Sequence, residues 1–176
     1  MAGHNKFSKI KHQKPKNDGQ KSKIFGKLVR FISVEAKKAG GNMKSPGLAL
    51  AIEKAKKENM PNDTIDRAIK KATTDNSAAM ENVTYEAYGP GGVAIIIEGL
   101  TDNRNKAAQE VKAILAKHEC ALAAPGSASW AFTKGPDGLV PNMTTPLEDA
   151  DIEKLQALVE ALEENDEVQD VYTNAE

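Results

Sequence analysis

A chain of 176 residues with 40% hydrophobic and 28% charged side chains has the balance of a globular protein, long enough for one or two domains with their own cores. A single cysteine, Cys120, excludes a disulfide framework and points to a reducing compartment. The net charge of −1 hides a division: residues 1–80 hold 18 Lys and Arg against 7 acids, net +11, and residues 81–176 hold 6 against 18, net −12. Such asymmetry predicts a pole that binds polyanions and an acidic pole, and screening over about 8 Å keeps distant ends from cancelling.

Residues 1–19 read as a basic flexible arm. Lysines alternate there with Gly, Asn and Pro, and only Phe7 and Ile10 are clear apolar anchors. Such a segment buries too little to offset its ordering entropy and is expected to order on a partner. A three-helix domain over 20–74 follows. Ile24, Leu28, Ile32 and Ala36 recur every four residues, and Gly40-Gly41 stops the first helix. Ser45-Pro46 starts the second, with Leu48, Ala51, Ile52 and Ala55 inward. Pro61-Asn62-Asp63 starts the third, with Ile65, Ala68, Ile69 and Ala72 on one face.

The small polar residues of 75–82 predict a linker, and the period then changes. Val83, Tyr85 and Ala87 alternate with Thr84, Glu86 and Tyr88 as in a half-buried strand. Gly89-Pro90-Gly91-Gly92 turns the chain, and Val93 to Glu98 reads as a strand covered on both faces, far too short an apolar run to cross a bilayer. A helix from Thr101-Asp102-Asn103 to His118 is next, then strands at Ala128–Thr133 and Val140–Thr144. Thr145-Pro146-Leu147-Glu148 has the form of a capping box before a helix with Ile152, Leu155, Leu158, Val159 and Leu162 inward, and Val168–Tyr172 is the last strand. The fold class is thus α+β: an N-terminal three-helix domain, then over 83–176 a ferredoxin-like α/β sandwich of order β-α-β-β-α-β with an extra N-terminal hairpin strand.

Chemistry has few candidates. His4, His12, His118 and Cys120 are the whole soft-ligand inventory, and no nucleophile is matched with a base, so neither a metal, a cofactor nor an enzyme is expected. The glycine-rich turn lacks the Gly-Lys-Ser/Thr ending of a phosphate-binding loop. Asp102, Asn103, Arg104 and Asn105, considered with Tyr88 and Gly89, form a candidate interaction cluster, with a plain helix cap as the alternative reading. The main candidate is the basic segment: Lys6, Lys9, Lys11, Lys14, Lys16, Lys21, Lys23, Lys27 and Arg30 for phosphates, His4 and His12 for added contacts, and Phe7 as an anchor or stacking group. The scarcity of arginine argues against a base-reading code, since bidentate guanine recognition favours Arg.

Several segments resemble the YebC/PmpR family: MAGHNKFSKIKHQK with KIFGKLVR at the start, YEAYGPGGVAIIIEGLTDNRNKAAQEV at Tyr85–Val111, GSASWAF at Gly126–Phe132 and LEENDEVQDVYTNAE at Leu162–Glu176. The resemblance covers nearly the whole chain. It implies a three-helix domain followed by two α+β domains, the third inserted into the second. It also implies a cytoplasmic, DNA-binding regulator of transcription; mitochondrial relatives are translational activators of cytochrome c oxidase subunit I, and others have been linked to ribosomes translating proline-rich stretches. Here only GPDGLVP lies between Lys134 and Asn142, so the inserted domain is expected to be absent near 135–141 and two domains to remain. Phe7 stands where many relatives have Trp, and Pro15 departs from a helix-compatible pattern. The leading expectation is a DNA-binding regulator of gene expression that is monomeric and not membrane-bound. The alternatives are a ribosome-associated translation factor on rRNA and a salt-dependent protein interaction module pairing the acidic helix with the basic one.

Overall fold

The computed structural model describes residues 17–76, 79–136 and 138–176. They fall into two compact units divided between Glu81 and Asn82.

In the N-terminal unit, α1 spans Asp18–Lys38, α2 Pro46–Lys57 and α3 Asn62–Thr74. Helix α1 begins two residues before the expected Gln20 because Asn17 and Gln20 cap it reciprocally. The Gln20 N–H donates to Asn17 Oδ1 at 2.8 Å and the Asn17 N–H to Gln20 Oε1 at 3.0 Å. It ends where Gly40 and Gly41 take positive φ, the Gly41 N–H donating to the Ala36 carbonyl at 2.9 Å. Pro46 opens α2, although Ser45 before it makes no side-chain cap bond. The core joins Ile32 and Ala36 of α1, Leu48, Ala51 and Ala55 of α2, and Ile65 and Ala68 of α3.

The C-terminal unit contains β1 (Glu81–Tyr88), β2 (Ala94–Thr101), α4 (Arg104–Lys117), β3 (Ala121–Ala123), β4 (Phe132–Gly135), β5 (Gly138–Pro141), α5 (Asp149–Glu164) and β6 (Val168–Thr173). Its main sheet has the order β3-β1-β2-β6. Pairing is antiparallel between β1 and β3, with Tyr88 opposite Ala121, and between β2 and β6, with Ile97 opposite Val171. Strand β2 is covered on both faces, as its unbroken apolar run implies. Ile95 and Ile97 pack with Val111 and Leu115 of α4 and with Leu155, Leu158 and Leu162 of α5. Ala94 and Ile96 pack on the opposite side with Ala128, Ala131 and Phe132.

The class is α+β, with three N-terminal helices followed by an antiparallel sheet covered by helices. Its pairing differs from the ferredoxin-like order in one respect. Strands β4 and β5 form a separate two-stranded sheet, with Phe132 opposite Pro141. The reason is that β1 and β6 occupy the two edges of β2, leaving none for the central hairpin. The hairpin instead lays Phe132 and Leu139 on the sheet face. The short β3 was not foreseen. Nor does the proposed capping box form: α5 begins at Asp149, beyond Pro146, and Glu148 makes no side-chain cap. Thr145 is held extended against the C-terminal segment instead. Its N–H donates to the Asn174 carbonyl at 2.7 Å, and its carbonyl accepts the Glu176 N–H at 2.9 Å.

Candidate nucleic-acid interface

His4, Lys6, Phe7, Lys9, Lys11, His12, Lys14 and Lys16 lie outside the described residues. The remaining residues of the basic segment, Lys21, Lys23, Lys27 and Arg30, lie on α1. At 100° per residue, Lys23, Lys27 and Arg30 share the face opposite Ile32 and Ala36, and Lys37 continues it two turns beyond Arg30. Lys21 points elsewhere, in the first turn. The four-residue apolar repeat turns Ile32 and Ala36 into the helical core and leaves the basic residues on the other side, although Val34, among them, is also buried. Lys38 is tied to Glu35 at 3.0 Å, an exposed pair of small energetic weight.

The second candidate cluster does not form one site. Tyr88 ends β1 and Gly89 follows it, whereas Asp102–Asn105 follow the far end of the antiparallel β2, a strand of eight residues and about 25 Å. The cap reading accounts for its centre. Asn103 Oδ1 accepts the Lys106 N–H at 3.1 Å. The buried Thr101 hydroxyl accepts the Asn103 N–H at 2.9 Å and donates to the Asn103 carbonyl at 3.0 Å. Cys120 is half-buried against the main core, and burial and Glu119 raise its thiol pKa.

Glu86 is the residue that pattern reading misassigned. Alternation placed it on the exposed face of β1, but it is buried beneath residues 126–129. Its carboxylate accepts backbone N–H groups from Ala128 at 3.0 Å, Ser129 at 2.6 Å and Gly126. Burial opposes ionisation, but these donors outweigh it and hold the carboxyl below the usual range. No spacing rule announces such a contact, since its partners lie some forty residues away.

A basic helical unit joined to an acidic antiparallel α+β unit defines a two-part α+β protein with its cationic groups gathered at one end of the chain. Residues 5–75 match the TACO1/YebC protein N-terminal domain, and residues 80–135 and 137–175 match the TACO1/YebC second and third domain. The chain belongs to the TACO1/YebC family, which is the YebC/PmpR family its motifs resemble.

Relatives named "probable transcriptional regulatory protein" include one from Fervidobacterium nodosum, 43% identical over 171 residues that cover 96% of this chain and 68% of the relative. Another, from Petrotoga mobilis, is 43% identical across 100% of this chain and 71% of its own length. One from Thermosipho africanus is 35% identical over 237 aligned positions, covering 100% of this chain and 94% of the relative. That alignment is longer than the 176 residues of this chain, so the relative carries residues with no counterpart here. The crystal structure of a conserved hypothetical protein from Aquifex aeolicus is similar with a TM-score of 0.79 and 32% identity over 95% of both chains.

Proposed function

We propose that this chain is a nucleic-acid-binding regulator of gene expression, acting in transcription and binding DNA through its basic N-terminal part. The observation that carries this reading is the set of basic residues on α1, with Lys23, Lys27 and Arg30 on the side away from Ile32 and Ala36 and the lysines of 1–16 preceding them in sequence. Lysine ammonium groups neutralise phosphates and release counterions, giving salt-dependent affinity with little sequence reading. The names of the relatives agree with a regulatory role. The test is to titrate the full chain and a form lacking residues 1–19 against DNA and structured RNA at two salt concentrations. Tight, salt-sensitive binding by the full chain and a large loss in the shortened one are expected; equal, salt-insensitive curves reject the reading.

A second reading makes the partner ribosomal RNA. It is favoured by the preponderance of lysine over arginine in residues 1–80, which suits phosphate contacts on a structured RNA better than base recognition. Sedimentation with ribosomes in lysate separates the two. Absence from ribosomal fractions, with promoter DNA enriched instead, excludes the second reading.

A further inference from the structure

Trp130 is the one tryptophan of the sequence, and 55% of it is exposed. Its indole N–H donates to the Ser127 carbonyl at 2.8 Å and lies 3.2 Å from the Tyr88 hydroxyl, which itself donates to the same carbonyl. The ring's only hydrogen-bonding atom is therefore committed, and what it offers to solvent is aromatic surface. Tyr88, 39% exposed, lies beside it.

The turn that carries Trp130 is pinned by the Glu86 carboxylate through Gly126, Ala128 and Ser129. From the other side, Asn142 Nδ2 donates to the Trp130 carbonyl at 3.2 Å, and the next residue, Met143, is 60% exposed. Thr144 then donates to a carboxylate oxygen of Glu176 at 2.9 Å. The aromatic surface is thus fixed in place, with the exposed Met143 next in the chain to the residue that holds the Trp130 carbonyl.

Charge selects the occupant. Residues 81–176 carry a net −12, which repels a polyphosphate and attracts a cationic protein segment. A guanidinium is weakly hydrated, planar and well suited to stacking on an indole face. We propose that Trp130, with Tyr88 and Met143, is the docking site for an arginine-rich segment of a partner protein, one guanidinium lying on the indole. The acidic groups of this half steer the segment, and the site is independent of the nucleic-acid reading above.

Because the chain has a single tryptophan, its fluorescence reports the site directly. The full chain is titrated at physiological salt with deca-arginine, a neutral Gly-Ser peptide and oligothymidylate. Saturable quenching by deca-arginine alone is expected. Labelled deca-arginine should bind Trp130→Ala about tenfold more weakly than the unaltered chain, as expected for loss of a cation–π contact with its buried area. Equal affinity of the two proteins would mean that electrostatics alone bind the peptide, and overturns the proposal. So does quenching by oligothymidylate but not by deca-arginine, which would make the ring a base-stacking platform. Circular dichroism verifies the fold of the variant; should it not fold, Met143→Lys is expected to weaken the same titration, and unchanged binding overturns the proposal equally.

Discussion

The carboxylate of Glu86 accepts the backbone N–H of Ala128 at 3.0 Å, across 42 residues of sequence. Together with the bonds to Gly126 and Ser129 it makes one ionised side chain the fixed point of the turn that carries Trp130. Glu86→Ala leaves backbone donors beneath that turn without this acceptor, and a cost of about 1–3 kcal/mol is expected by chemical denaturation. The pH dependence has a definite sign. The folded carboxyl titrates below its unfolded value, so its contribution is present above the unfolded pKa and lost as pH falls through the folded one. The stability gap between the natural chain and Glu86→Ala should therefore be full at neutral pH and shrink in acid below the ordinary carboxylate range. A gap independent of pH would contradict this.

The cationic face of α1 makes a quantitative prediction about salt. If Lys23 and Lys27 each meet a phosphate, each change to Ala weakens DNA binding about equally for all sequences. Each also lowers the slope of log affinity against log salt by about 0.9 on duplex DNA. Lys21→Ala, on another side of the helix, is expected to do less. Fluorescence anisotropy at several salt concentrations provides the measurement.

Gly26 lies inside α1, exposed, and a Cβ there would meet nothing within 4 Å. Its negative φ suits any residue, so Gly26→Ala removes backbone entropy from the unfolded chain without a clash. A gain of about 1 kcal/mol is expected in the stability of the helical unit, read from its denaturation midpoint.

Gly99 behaves oppositely. It sits at the register shift between β2 and β6, and a Cβ would lie 2.6 Å from the Glu167 carbonyl oxygen and 3.1 Å from Val83. The first of these neighbours is backbone and cannot rotate aside. Gly99→Ala is expected to cost about 1–3 kcal/mol by separating β2 from the turn before β6.

Asn103 tests the cap reading of the polar cluster. Its side chain satisfies the Lys106 N–H at the start of α4. Asn103→Ala should cost about 1 kcal/mol, with Asn103→Ser near neutral, and neither should alter nucleic-acid affinity. A loss of binding without a loss of stability would assign the cluster a ligand.

What the sequence conveys well is set by local periodicity. The Ile24–Ala36 stripe, the Pro46 start and the apolar run of β2 each determine an element through neighbours on the same segment. Asn17 reads as part of the arm because a capping residue beside a lysine-rich stretch looks like more loop. β3 escaped notice because three small residues, Ala121–Ala123, carry neither alternation nor bulk. The apolar pattern predicts a strand through Trp130, yet it occupies a short 3-10 turn with β4 starting at Phe132, and its indole N–H bonds Ser127. The failed capping box shows the same principle. Thr145 had suitable local chemistry, but its bonds to Asn174 and Glu176 hold it extended. Of the candidate interface, the cationic face of α1 was legible because charge and helical period are both local; the Glu86 contact, set by chain crossing, was not.

The β4–β5 hairpin has a consequence for how such a chain can change length. Gly135 pairs directly with Gly138, so the two strands leave the fold at nearly the same point. The match to the family's second and third domain breaks at this position, between residues 135 and 137. A polymer joined there at both ends closes a loop whose entropic cost rises only with the logarithm of its length, about 0.6 kcal/mol for each doubling. The tip therefore behaves as a docking port for covalent cargo: a folded module with adjacent termini can be spliced in or cut out while β2 keeps both partners.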